Sequence, residues 1–249
     1  MVGAQEEARG SAVTPPVESD ADRLRESLLI GLTFAAGVVD AVSYLGLGQI
    51  FTANMTGNVV FLALAVGQRS LLTTLRSVGA LIGFSLGVIL AGQILVRPRP
   101  AGPWPRQVTW LLWGELACVI VFAGLWASAG GQPGSGLLYV LIALSSFGMG
   151  LQNAAARHLA VPGLTTTVIT VALTGFMVDL TALGMAGPAQ RRGGLAVAAL
   201  FTGAAVGATL MVYARPFAPL VTAASVTVVA AIASMSFDRL PLKGRTSHV

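Results

Sequence analysis

Charge is scarce in this sequence. Only 10% of its 249 residues are Asp, Glu, Lys or Arg, against about 25% charged residues in a soluble domain. Cysteine is reduced to Cys118. A lone cysteine cannot close an intramolecular disulfide, and this one lies in an apolar run, so a disulfide scaffold is excluded. There are two histidines, His158 and His248. Neither has a partner at metal-ligand spacing, which argues against a His-ligated metal cluster. The chain contains no HExxH, GxSxG, P-loop or CxxC motif, and no GxGxxG in a βαβ setting. With no nucleophile–base pattern either, the expectation is a protein that is not an enzyme and has no metal or cofactor.

Apolar residues are what the chain has in quantity. They make up 55% of it, with a mean hydropathy of +0.78. That composition belongs to an integral membrane protein. The net charge of +5 does not point to nucleic acid, because the basic residues sit at the ends of apolar runs and form no basic face. They read as topology-setting charges whose partner is the lipid bilayer.

Residues 1–27 hold six of the ten acids and read as a disordered polar tail. They do not read as a signal peptide, so the first apolar run is expected to be retained as a span. Residues 237–249 form a second polar tail. Between them, apolar runs cover 28–47, 50–67, 77–96, 108–130, 136–156, 164–186, 195–214 and 216–236. Gly, Pro and Arg separate them, as at Arg97-Pro98-Arg99-Pro100 and Gly131-Gln132-Pro133-Gly134. The predicted fold is therefore all-α, a polytopic transmembrane helical bundle of about eight spans (six to eight). The second run is the shortest and most polar, and a re-entrant path there would reverse every later orientation. With eight spans and an inside N-terminus, ten Lys and Arg fall inside and five fall outside (Arg97, Arg99, Arg106, Arg157 and Arg215). This places both termini in the cytoplasm.

The chain also repeats itself. An offset of 113 lays Phe34-Ala-Ala-Gly37-Val-Val-Asp40-Ala41 on Phe147-Gly-Met-Gly150-Leu-Gln-Asn153-Ala154. An offset of 120 lays Gly83-Phe-Ser-Leu-Gly87 on Gly203-Ala-Ala-Val-Gly207. We read two internal repeats, about 28–130 and 136–236. Halves with an even number of spans share one orientation, and halves with an odd number are inverted. The third and seventh runs carry small residues every fourth position, at Gly79, Gly83 and Gly87 and at Ala199, Gly203 and Gly207. Such stripes let helices pack closely, either within the bundle or across a homodimer contact.

Polar groups inside apolar runs mark where a function could sit. An ionised carboxylate at the bilayer centre costs at least about 2.5–3.5 kcal/mol, so it must be paired, hydrated or protonated. Asp40, Glu115 and Asp179 are such acids. Asp40 is the favoured candidate. Glu115, flanked by Trp110 and Trp113 near the start of its run, is expected to be interfacial. The second run opens Phe51-Thr52-Ala53-Asn54-Met55-Thr56-Gly57-Asn58. Asn54 and Asn58 share a helical face, as do Thr52 and Thr56, and Gly57 could permit a helix break. Thr166, Thr170 and Thr174 recur at the same spacing in the sixth run. Gln152 and Asn153 are neutral counterparts of the Asp40 position. Arg157 and His158 read as interfacial or solvent-facing.

The Asp40-Ala41 pair, the Phe51-to-Asn58 segment and Gln152-Asn153-Ala154 together resemble the YoaK family of bacterial integral membrane proteins, a domain of unknown function. The resemblance covers most of residues 28–236 and implies a bacterial inner membrane. It implies no substrate. From the residues themselves, the leading expectation is a small secondary transporter or permease-like protein for an unknown small solute or ion. Its midplane site would be lined by Asp40, Asn54, Thr56, Asn58, Gln152, Asn153, Thr166, Thr170 and Asp179. The rival is a non-transporting scaffold or assembly factor whose polar residues serve helix packing.

Overall fold

The computed structural model describes residues 19–96, 104–159, 161, 173–174, 177 and 188–237. Among the described residues the architecture is all-helical. The helices are α1 (Asp20–Gly46), α2 (Met55–Gly67), α3 (Leu71–Leu95), α4 (Arg106–Ser128), α5 (Ser135–Leu159), α6 (Pro188–Tyr213) and α7 (Ala218–Phe237). A 3-10 turn, Arg215–Phe217, leads into α7.

Six of them, all but α2, are long and apolar enough to cross a bilayer. Their outward faces carry Ile82, Leu86, Ile89, Phe201 and Val212, as lipid contact requires. Helix α2 has 13 residues and is about 20 Å long, short of the ~30 Å hydrocarbon core. Against the eight spans expected, six helices therefore meet the requirement, and the second run does not. The sixth run, 164–186, lies largely outside the described residues.

Helix α1 starts inside the stretch expected to be a tail. The Ser19 hydroxyl accepts the Asp22 N–H at 3.2 Å, and Asp20 and Asp22 place negative charge in the first turn, where the helix dipole favours it. The ion pair between Glu26 and Arg192 ties this polar start to α6.

Two apolar clusters define the ends of the bundle. One holds Leu28, Ala91, Trp104, Leu159, Ala196 and Phe237, gathering the starts of α1, α4 and α6 and the ends of α3, α5 and α7. The other holds Val42, Leu47, Ala80, Trp126, Leu141, Met211 and Ala218, from the opposite ends of the same helices. The six long helices thus alternate in direction. Helices α5 and α6 end and begin at the same end of the bundle.

The small-residue stripes pack helices within the chain, and not against each other. A Cβ on Gly37 in α1 would strike the Leu200 carbonyl oxygen of α6, and one on Gly203 would strike that of Phe34. In the same way α3 meets α5. A Cβ on Gly83 would lie 2.8 Å from the Ala143 carbonyl oxygen, and one on Gly87 would strike that of Phe147. Only side-chain-free backbone allows such crossings. Gly207 belongs to this set, with Val38 O at 2.9 Å, but Gly79 does not, its nearest neighbour being 3.9 Å away.

Candidate functional site

Helix α1 stops at Gly46 because the chain turns left-handed at Gly48 (φ 90°) and Gln49 (φ 62°). The guanidinium of Arg76 in α3 occupies the place a Cβ on Gly48 would take. Residues 47–54 then fold back along α1. The Ala53 and Asn54 N–H groups donate to Asp40 Oδ1 at 2.9 and 3.3 Å. Asp40 lies six residues before Gly46, about 9 Å inward along the helix. Helix α2 starts at that depth and returns through Gln68–Ser70 to α3, at the end of the bundle where α1 left off. The Asp40 carboxylate therefore meets the N-terminus of α2, where unpaired N–H groups and the helix dipole favour an anion.

Three further contacts fix this loop. Asn58 is fully buried. Its Oδ1 accepts the Phe51 N–H at 2.9 Å, and its Nδ2 donates to the Phe51 carbonyl. The Thr52 and Ser145 hydroxyls are 2.8 Å apart, joining the loop to α5. The Phe51 ring clusters with those of Tyr44 and Phe61, the three centroids lying 5.4, 5.6 and 6.3 Å apart. Gly57 makes room for that ring, since a Cβ there would come within 2.7 Å of it. Gly57 lies inside α2, so the break suggested by the sequence occurs earlier, at 47–54.

Of the residues expected to share one midplane site, the structure brings Asp40, Asn54 and Asn58 together at this loop. Asn58 is spent on backbone, whereas Asn54, the residue capping α2, and Thr56, on its first turn, are exposed. Gln152 is elsewhere. Its Nε2 donates to the Leu32 carbonyl at 3.1 Å, and its Oε1 is buried without a partner. Leu32 lies eight residues from Asp40, about 12 Å further along α1. Asn153 donates to Met149 O at 3.1 Å. Arg157 and His158 are exposed. Thr166, Thr170 and Asp179 lie outside the described residues.

Glu115 was undervalued by the sequence reading, which put it at an interface. It is the tenth residue of α4 and is fully buried, with neither carboxyl oxygen hydrogen-bonded. Its neighbours Trp110 and Trp113 point outward, 54% and 44% exposed. Glu115 lines a cavity of about 20 Å³ with Ser43, Cys118, Ser145, Gly148 and Thr222, enough for one water-sized occupant. The signal was present in the sequence as an acid within an apolar run. The two tryptophans obscured it, because they mark the lipid-facing side of the same helix.

No solved structure matches the chain. Over 157 residues it is 41% identical to the UPF0700 transmembrane protein YoaK of Bacillus subtilis (strain 168), covering 63% of this chain and 68% of that one. The family model for proteins of unknown function DUF1275 matches residues 28–233. Together with six helices able to cross a bilayer, this match means that the chain is a multi-pass membrane protein belonging to the DUF1275 family.

Proposed function

We propose that the protein is a small secondary transporter of the bacterial inner membrane, moving a small polar solute past the loop that precedes α2. The observation that carries this reading is the half-length helix starting at the depth of Asp40. Irregular backbone at membrane depth is tolerated where it is buried in protein or lines a wet cavity. Transporters use such discontinuous helices to build their sites. Asp40 holds the loop and brings charge to it, and Asn54 and Thr56 face the solute. Gln152 and Asn153 form the corresponding station of the second half.

The halves are two inverted repeats of three crossing helices each. The packing supports this, because the glycine crossing of α1 on α6 has its counterpart in that of α5 on α3. Charge supports the orientation. Counted along the sequence for a path of six crossings, three Lys and Arg (Arg69, Arg76 and Arg215) fall on the side where α1 finishes and twelve on the other. The split is sharper than the ten to five of an eight-span path, and supports an orientation with both termini in the cytoplasm.

The test is solute uptake into liposomes carrying the purified protein, after a thermal-shift screen against metabolite classes. Asp40→Asn is expected to abolish uptake while the protein stays folded. Full retained uptake rejects the role of Asp40. The scaffold reading is favoured by one observation, the expenditure of Asn58 on the chain's own backbone. It predicts that no solute raises the melting temperature. Transport predicts that one does, and that Asn54→Ala removes the effect.

A further inference from the structure

Glu115 has no part in the site just proposed. Its carboxyl is fully buried, both oxygens lack a hydrogen-bond partner, and it faces a cavity with room for one small occupant. An unpaired carboxylate in such a place is costly, so the site calls for a single positive charge. We propose that Glu115 is a reversible proton-binding site in the core of the bundle, exchanging its proton through the hydroxyls that join its cavity to the loop before α2.

The lining selects a proton over a metal or alkali ion. A desolvated cation needs several oxygen ligands. The cavity offers one carboxyl group and the hydroxyls of Ser43, Ser145 and Thr222 among aliphatic side chains. Two of these hydroxyls are already engaged, Ser43 with the Asp40 carbonyl at 3.1 Å and Ser145 with Thr52 at 2.8 Å. Helices α1, α5 and α7 present no charged side chain to the cavity. The other titratable group lining it is Cys118, on α4 itself. The carboxylate of Asp40, near Ser43 on α1, is turned to the Ala53 and Asn54 N–H groups.

The route outward follows the same contacts. Ser145 lines the cavity and meets Thr52, and Thr52 precedes Ala53, which is bonded to Asp40. A proton leaving Glu115 passes to the cavity occupant and onward through these hydroxyls, leaving Glu115 as a carboxylate. Gly148 permits close packing here, since a Cβ on it would lie 3.7 Å from the Glu115 side chain and 3.2 Å from that of Cys118. The assignment deepens the transport reading, in which this proton is the coupling ion, but its test needs no transport.

Full-length protein in liposomes is treated with dicyclohexylcarbodiimide, an apolar reagent that adds to protonated carboxyl groups, and the peptide carrying Glu115 is read by mass spectrometry. The expected result is an adduct on Glu115 that falls at least about tenfold as pH rises from about 5 to about 9, across the range where perturbed carboxyls titrate. Added Na⁺ should not protect it. The adduct should vanish in Glu115→Gln and persist in Asp40→Asn. No adduct at any pH, or one that pH does not change, overturns the proposal. Protection by Na⁺ at fixed pH also overturns it, in favour of an alkali-ion site. If Glu115→Gln does not fold, the wild-type pH series decides alone. Labelling intact where no solute is transported removes the transport reading and leaves the proton site standing.

Discussion

At the scale of single residues, the two asparagines of the second run do opposite work. Asn58 satisfies both backbone groups of Phe51 from a fully buried position. Asn58→Ala leaves those groups unpaired in the core and is expected to cost about 2–4 kcal/mol, measured as a lowered melting temperature in detergent. Asn54 makes no side-chain capping bond, so Asn54→Ala should change the unliganded melting temperature little, within about 0.5 kcal/mol. Equal losses for the two would contradict the geometry. The sequence placed both on one helical face because their spacing of four assumed a helix through 54–58. In fact Asn54 is the cap residue of α2, and only Asn58 lies well within the helix. Spacing reveals a shared face, but not where the helix begins. That Asp40 must find partners was legible from its charge alone, whereas its bonds to Ala53 and Asn54 depended on a loop path that no periodicity encodes.

At the scale of helices, close crossing and helix propensity pull glycine substitutions in opposite directions. Gly150 in α5 lies against α3, where a Cβ would come within 3.0 Å of the Gly87 Cα and would strike the Phe84 carbonyl oxygen. Gly150→Ala must push two backbones apart and is expected to destabilise by about 1–3 kcal/mol. Gly79→Ala meets nothing closer than 3.9 Å and should stabilise by up to about 1 kcal/mol through helix propensity. Thermal melts of the two variants side by side check the sign. The stripes at 83–87 and 203–207 were readable in the sequence. Their partners were readable too, since Gly37 and Gly150 stand in the repeat alignment. What the sequence left open was which stripe meets which glycine, because apolar faces in lipid carry no label for their partner. Whether the second run crosses stayed open for a related reason: hydropathy counts apolar residues and cannot tell a crossing from a return.

At the scale of the whole molecule, the six-crossing path makes a prediction that separates it from the eight-span path. In a background lacking Cys118, a cysteine replacing Gln132 should react with a membrane-impermeant maleimide added to intact cells. One replacing Arg106, at the start of α4, should react only after the membrane is opened. Eight spans would give the reverse pattern at both positions. The N-terminal side cannot discriminate, since both paths start inside.

The crossed pairing of α1 with α6 also has a consequence for synthesis. Gly37 and Leu200 are separated by 163 positions. At about 5–20 residues per second, the groove around Gly37 waits roughly 8–30 s in the bilayer before its cover leaves the ribosome. Throughout that interval the nascent protein carries an open seam of bare backbone that any passing helix with a small-residue ridge could occupy. A chain cut short of Leu200 would never close it.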